Sequence, residues 1–250
     1  MPPAGMPGQG GAGPVRVPAA AIRTYSTTFN LTENPISESG AWHASGLGLD
    51  RTDIGQGALP AASTPVVTAS GIAHGVSAAT GASGFDDSRA LLSGFSPDHA
   101  VTATVFSSGA SGSFSEVEIH LRFNDAGTYA RGYELYWSAF NQYLNVVRWN
   151  GDGSYSYLYE YGAVTSPGSG DVIYGEIKGN LLTAKMNGVR LFTLDITAVN
   201  GAALPYTTGA PNMSGDGSAL VFTSGNPGMG FDTDGNDAGF GFTDYSATDI

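Results

Sequence analysis

The chain has 250 residues, of which 41% are hydrophobic and 13% charged, and its formal net charge is −12. Lys178 and Lys185 are its only lysines, so it lacks the basic surface that binds nucleic-acid phosphates or an anionic membrane, and no apolar run is long enough for membrane insertion. Cysteine is absent, which excludes a disulfide framework and a thiolate metal site.

The N-terminal segment Met1–Ala21 reads MPPAGMPGQGGAGPVRVPAAA. Proline and glycine at this density form neither a helix nor a central strand. We therefore expect residues 1–24 to be an arm that is flexible in the monomer or bridges to a neighbouring subunit of a homo-oligomer. The segment has neither the basic nor the apolar region of a secretory signal. Residues 25–250 are predicted to form one β-sandwich.

The first half of that region shows short strand patterns separated by turns. Tyr25–Leu31 is predicted as the first strand, and Val101–Phe106 is predicted as another, with Val101, Ala103 and Val105 on one face and Thr102, Thr104 and Phe106 on the other. Ser115–Phe123, Tyr133–Ser138 and Tyr143–Trp149 then follow one another as three strands of a meander. Many short strands with turns every ~8–12 residues are typical of an all-β sandwich.

The strand Ser115–Phe123 is predicted to have one apolar and one ionisable face, because successive side chains of a strand point to opposite sides. The predicted apolar face comprises Val117, Ile119, Leu121 and Phe123. The predicted ionisable face comprises Glu116, Glu118, His120 and Arg122.

The second half of the β-sandwich region is predicted to form further hairpins. Asn150 to Gly153 spells NGDG, a strong hairpin signal. Two more hairpins are predicted at the turns Gly179-Asn180 and Asn187-Gly188. Between these signals, a strand is predicted to carry four tyrosines on one face, namely Tyr155, Tyr157, Tyr159 and Tyr161.

Three segments resemble the concanavalin A-like lectin and glucanase family, including its laminin-G-like members. They read GYELYWSAFNQYLNVVRWNGDGSYSYL, GDVIYGEIKGNLLTAKMNGVRLFTL and GNPGMGF. The resemblance covers about Phe85–Asp249 and implies an antiparallel jelly-roll β-sandwich with one concave sheet. The family includes lectins, glycan-binding modules, glycosidases, polysaccharide lyases and phage structural proteins, so it indicates the fold more than the activity.

The ionisable face supplies the candidate catalytic residues Glu116, Glu118, His120 and Arg122. Carboxyl groups two residues apart on a strand can approach the separation that a retaining glycosidase needs. The family's hydrolases carry E-x-D-x-x-E, whereas this chain has E-V-E-I-H-L-R, and the R-x-E-x-R and Q-x-H motifs of the jelly-roll lyases are absent. The alternative interpretation is a solvated face whose charges pair across the sheet.

Tyrosines supply candidate glycan-binding residues, because the apolar face of a sugar packs well against an aromatic ring. The candidates are Tyr136, Tyr155, Tyr157 and Tyr159. The alternative interpretation is that the tyrosines of the stripe pack inside the sandwich.

Asp232, Asp234 and Asn236 alternate oxygen ligands as calcium loops do. The glycine and the glutamate of an EF-hand are missing at the sixth and twelfth positions. The loop is therefore either a Ca²⁺ site of another kind or a turn held by its own side chains.

Taken together, these features favour a non-enzymatic module, extracellular or on a virion surface, that binds glycans or a structural partner. A phage tail or capsid-decoration protein would fit this description. The alternative is a polysaccharide lyase or glycoside hydrolase that uses the Glu116/Glu118/His120/Arg122 face.

Overall fold

A computed structural model describes most of the predicted sandwich. Among the described residues we find no helix with the length and hydrophobicity that a membrane crossing requires. The described residues are 1, 21–44, 64–76, 88–108, 116–124, 130–138, 142–151, 155–162, 166–197, 220–232 and 237–250.

The first sheet, sheet A, has the strand order β14-β13-β12-β7-β16-β5-β4, with β1 also paired to β16. All of its pairs are antiparallel. Its strands are β1 Thr24–Thr27, β4 Val67–Ala69, β5 Ile72–His74, β7 His99–Ser107, β12 Val172–Lys178, β13 Leu181–Met186, β14 Val189–Asp195 and β16 Phe240–Asp249.

The second sheet, sheet B, has the order β11-β10-β9-β8-β15-β6-β2, with β3 paired in parallel to β6. A short 3₁₀ turn, Asp237–Gly239, joins β15 to β16 of sheet A. The strands of sheet B are β2 His43–Ala44, β3 Thr64–Pro65, β6 Ser88–Leu91, β8 Glu116–Asn124, β9 Arg131–Ser138, β10 Tyr143–Asn150, β11 Tyr155–Tyr161 and β15 Asn226–Asp232.

The core lies between the two sheets and follows from the alternation in the sequence. Val101, Ala103 and Val105 of β7 face Ile119 and Leu135 of sheet B within one buried cluster. Because β-branched and aromatic side chains suit a pleated, half-buried surface, these segments form strands rather than helices. The antiparallel sandwich, the central meander and the two later hairpins are confirmed. The predicted arm falls almost wholly outside the described residues, so the division at residue 24 stays a prediction.

The predicted faces of β8 are wrong at its C-terminal end. Leu121 pairs with Tyr133 and Asn124 with Arg131, so Arg122 and Phe123 together lie opposite Gly132. This is a β-bulge, and Arg122 adopts a positive φ of 47° within it. The extra residue turns Phe123 out of the core into a second cluster on the opposite face of sheet B.

The bulge sends Arg122 to one end of the sandwich, away from Glu116, Glu118 and His120. Its guanidinium donates to the carbonyls of Pro97, Gly179 and Phe222 and to the carboxylate of Asp98. Two glycines make room for its backbone, because a Cβ on Gly132 or Gly225 would collide with Arg122 or Phe123, and both have φ near +140°.

His99, the first residue of β7, is buried against this bulge. Its Nδ1 contacts the Ser96 carbonyl at 2.7 Å, and its Nε2 accepts the backbone N–H of Arg122 at 3.2 Å. The pKa of His99 is lowered to about 4, chiefly by burial and also by the charge of Arg122, while the Ser96 carbonyl and the charges of Asp249 and Asp98 oppose the shift. Protonation of Nε2 would also remove the bond to Arg122.

We expect acidification from pH 6.5 to about 4 to destabilise the fold through His99. The unfolded histidine takes up a proton near its ordinary pKa, whereas the folded one stays neutral, so the stability present above that pKa is lost as the pH falls. The full loss is on the order of 3 kcal/mol.

Urea unfolding as a function of pH measures this effect. His99→Asn should be less stable than the wild type near neutral pH but lose less stability on acidification. His43→Asn, at an exposed position on β2, is the matched control and should keep the wild-type slope. Identical slopes for His99→Asn and wild type would contradict the prediction.

Candidate functional site

The face of sheet B that points away from the core carries the candidate site. Strand register places side chains that lie opposite one another on the same face. One row across the strands runs Arg89, Gly230, Glu118, Tyr136, Asn145 and Glu160, and the next runs Leu91, Gly228, His120, Glu134, Val147 and Tyr157.

The part of this face on β8 and β15 is buried, whereas its β11 edge is half-buried, and the burial on β8 corrects the interpretation of a solvated strand face. Glu118 is 1% exposed and His120 is fully buried. Glu116 and Asp232, which pair across β8 and β15, are also buried, as is Glu134. The ionisable side chains of β8 therefore belong to an interior polar cluster, where each charge must be compensated.

Glu118, His120 and Glu134 form the centre of the cluster. His120 Nε2 lies 3.0 Å from Glu118 Oε2 and 3.7 Å from Glu134 Oε2. One ligand atom from each of the three residues lies within 4.8 Å of the others, so the group could hold a metal ion. The imidazole also stacks on Phe123 at 4.3 Å between ring centroids, which fixes its orientation.

Burial shifts the protonation of this group. The pKa of His120 lies well below its ordinary value, because burial disfavours the imidazolium and Arg89 repels it. A neutral imidazole with its proton on Nε2 fits the contact with Glu118. Burial raises the pKa of Glu134 to about 7, against the opposing hydrogen bond from Trp149 and the charge of Arg89. Glu134 therefore exchanges a proton near neutral pH, as a general acid or base requires.

Arg89 of β6 is the fully buried cation of this cluster. Its three guanidinium nitrogens make no hydrogen bond within the described part of the chain. The guanidinium carbon lies 4.6 Å from the ring centroid of Phe123 and 6.0 Å from that of Trp149. The charge is thus held over aromatic rings, within the range of a cation–π interaction.

Gly230 on β15 supplies the space that the acidic side chains occupy. A Cβ at this position would overlap the carboxylate of Glu118 and lie 2.8 Å from the ring of His120. Both side chains therefore lean over β15 in the direction of Arg89, and any larger residue at position 230 would displace them.

A small opening lies beside the buried cluster, with a cavity volume of about 40 Å³. Trp149 Nε1 donates to Glu134 Oε2 at 2.6 Å and so orients both side chains. Asn145 donates to the hydroxyl of Tyr136. The opening is lined by Glu116, Glu134, Tyr136, Val147, Trp149, Tyr155 and Tyr157.

The tyrosine stripe does not lie on one face as predicted. A bulge between Val146 and Val147 shifts the register of β11, so that Val147 pairs with Tyr157 but Val146 pairs with Tyr159. Tyr155 and Tyr157 therefore line the opening, whereas Tyr159 is buried in the core against Phe192, with ring centroids 4.7 Å apart. Tyr159 cannot contact a ligand on this face. Tyr136, Tyr155 and Tyr157 stay candidates.

The remaining predicted residues are only partly placed. Asp232 ends β15 and is buried beside Glu116, while Asp234 and Asn236 lie outside the described residues. The calcium site thus stays a prediction, and so do the proposed catalytic roles of β8. Arg122, held at the end of the sandwich, is not brought to the same site as Glu118.

Sequence reasoning missed Glu134, Trp149 and Arg89 as members of the site. Glu134 lies directly across from His120, so extending the ionisable face of β8 to the next strand of the meander would have found it. Trp149 follows in the same way from the register of β10. Arg89 comes from a distant strand with no local pattern, and nothing in the sequence indicates its position.

No protein-family model matches the sequence, and no curated protein matches it. The solved structures that resemble the fold include two with a TM-score above 0.5. One is from work on endo-acting O-glycanases by which human gut microbiota initiate mucin breakdown; its TM-score is 0.54, with 8% identity over 90% of this chain and 98% of the other. The second is β-agarase A in complex with oligoagarose. Its TM-score is 0.51, and the alignment has 12% identity and covers 92% of this chain and 94% of the agarase chain.

A carbohydrate-binding module, CBM66 from Bacillus subtilis, aligns with a TM-score of 0.43 and 13% identity over 71% of this chain and 83% of the module. At these identities the similarities show the fold and not the activity. The two structures with a TM-score above 0.5 confirm the jelly-roll β-sandwich that the sequence resemblance implied.

We expect Trp149→Phe to raise the pKa of Glu134 above about 7, because the variant removes the Nε1–H that stabilises the carboxylate. A carboxyl-carbon NMR titration of Glu134 measures the midpoint. Trp42→Phe is the control, because Trp42 Nε1 donates instead to Tyr25. A Glu134 midpoint that is the same in Trp149→Phe and wild type would show that the hydrogen bond has no such effect.

Proposed function

We propose that this protein binds glycans at the outer face of sheet B. The observation that carries the proposal is the opening lined by Tyr136, Trp149, Tyr155 and Tyr157 beside the carboxylates of Glu116 and Glu134. Aromatic rings pack against the apolar face of a sugar, and carboxylates accept hydrogen bonds from its hydroxyls. A concave apolar site with a few convergent polar groups is the usual form of a ligand site.

The binding residues belong to strands rather than loops. Trp149 is held by Glu134, and Tyr155 packs against Trp149 with ring centroids 5.4 Å apart. Rings that are fixed before binding lose little conformational freedom when a ligand arrives. The O-glycanase work and β-agarase A, the two similar structures described above with a TM-score over 0.5, concern glycan-degrading proteins, and a glycan ligand is our proposal for this chain as well.

Glycoside hydrolysis is the second candidate function. Carboxylate oxygens of Glu118 and Glu134 lie within 4.8 Å of each other, close to the ~5–5.5 Å separation of a retaining pair. Glu134 would act as the acid, because burial raises its pKa to about 7, and Glu118 as the nucleophile. We place binding first because Glu118 is 1% exposed and does not line the opening.

Three further parts of the proposal rest on composition and on the family resemblance. The acidic charge and scarcity of lysine favour an extracellular or virion-surface location. A neighbouring subunit is proposed as a partner of the N-terminal arm. A role in a phage tail or capsid belongs to the same proposal. Localisation in cells that make the protein and its oligomeric state on size exclusion test these parts.

Calorimetric titration with a panel of neutral and uronate oligosaccharides tests binding. We expect Tyr155→Ala to weaken binding of the preferred oligosaccharide by ~10-fold, because it removes one ring of the opening. Tyr174→Ala, on the outer face of sheet A, should bind as the wild type does. The proposal would be contradicted if the wild type bound no oligosaccharide of the panel, or if Tyr155→Ala and the wild type bound with equal affinity.

The same panel decides between binding and catalysis. Reducing ends report hydrolysis, and absorbance from new double bonds reports a lyase. Release of either product by the wild type, lost in folded Glu118→Gln and Glu134→Gln proteins, would replace the binding function with the enzymatic one. We expect the wild-type protein to bind an oligosaccharide of the panel and to release neither product.

The calcium site yields a separate prediction. If Asp232, Asp234 and Asn236 bind Ca²⁺, chelation lowers the melting temperature, because an ion that binds only the folded state stabilises it by mass action. Calcium added back should restore the melting temperature, and Asp234→Asn should abolish the response. A melting curve that chelator leaves unchanged means that the loop is only a turn.

A further inference from the structure

The opening on sheet B is too small for a sugar ring. At ~10–15 Å³ for each enclosed water, its volume of about 40 Å³ corresponds to roughly three water molecules. The ring of a bound glycan therefore stays at the rim, and a single substituent enters. The chemistry of the walls decides which substituent is preferred.

The aromatic walls form a box rather than a flat platform. The rings of Trp149 and Tyr155 are inclined at 55°, and those of Tyr155 and Tyr157 at 88°, with centroids 5.4 Å apart in both pairs. A sugar face stacks on the face of one ring, whereas several inclined rings can direct their faces to one point. Ring faces carry partial negative charge and attract a cation placed among them.

Carboxylates complete the box. Glu116 and Glu134 line the same opening, and the charge of Glu116 adds to burial in raising the pKa of Tyr136 and Tyr157. Glu118, Asp232 and Glu160 lie on the same face. Of the cations in the described chain, Arg89 shares this face. Its guanidinium carbon lies 4.6 Å from the ring centroid of Phe123 and 6.0 Å from that of Trp149, and Arg89 does not line the opening.

We propose that this opening binds a positively charged ammonium group carried by the ligand. Resting on the proposed glycan-binding function, this makes the ligand class amino sugars with a free amine. A uronate or sulfate group would meet the charge of Glu116 and be repelled. Acetamido and hydroxymethyl groups have a suitable size, but they gain nothing from the charge of Glu116.

Calorimetry with two matched oligosaccharides tests the preference. Glucosamine oligomers, at a pH that keeps their amines charged, should bind at least ~10-fold tighter than N-acetylglucosamine oligomers of equal length. Glu116→Gln keeps the shape of the opening but removes one charge, so it should erase most of this difference. Added salt should weaken only the charged ligand. Glu176→Gln, on sheet A, is the matched control.

A probe without a sugar separates the inference from the function on which it rests. Tetramethylammonium should shift the indole N–H resonance of Trp149, and both Glu116→Gln and Tyr155→Leu should abolish the shift. Such a shift without binding of any oligosaccharide supports the ammonium site and overturns the glycan function. Equal affinity for both oligomers, unchanged in Glu116→Gln, overturns the inference but leaves glycan binding intact. If tetramethylammonium does not shift the Trp149 resonance, the inference is likewise overturned and glycan binding is left intact.

Discussion

Burial of charge on one face of sheet B is the constraint on which the site depends. An ionised carboxylate costs several kcal/mol to bury unless it is paired and hydrogen-bonded. Here Glu134 accepts a hydrogen bond from Trp149 and burial raises its pKa to about 7, while Glu118 contacts His120, whose pKa burial lowers. Apolar side chains in the same positions would stabilise the sandwich at lower cost. Perturbed ionisable groups of this kind cluster at functional sites, which is why the proposed function belongs on this face.

Two β-bulges decide which side chains reach that face. The bulge at Arg122 turns Phe123 outward, where it stacks on His120 and lies beneath the guanidinium of Arg89. The bulge at Val146 divides the tyrosines of β11, leaving Tyr157 at the opening and placing Tyr159 in the core. Without the first bulge the imidazole would lose its stacking partner. Without the second, Tyr159 would lie on the outward face with the other tyrosines, and Phe192 in the core would lose its contact with that ring.

Period-two alternation was sufficient to predict the fold class and the strands of the central meander, because each strand has one buried apolar side. It failed where a single inserted residue reverses the alternation, and the sequence E-I-H-L-R-F does not show that insertion. The cause lies elsewhere in the chain, in Gly132 and Gly225, whose missing side chains accommodate the backbone of Arg122. The site was predictable on β8 itself and, by register, on β9 and β10. Arg89 joins the cluster because β6 lies beside β15 in sheet B, and the local sequence pattern does not predict that strand order.

The two faces of sheet B are under separate physical demands, and this explains how the fold can be shared at low sequence identity. Ile119, Leu135 and Val146 face the core and need only to be apolar and of suitable volume. Glu118 and His120 alternate with them on the same strand and point to the opposite face of the sheet. A chain can therefore keep this sandwich at 8–12% identity to solved structures that share the fold. Function in this protein has to be deduced from the outward face, because the inward face determines only the fold.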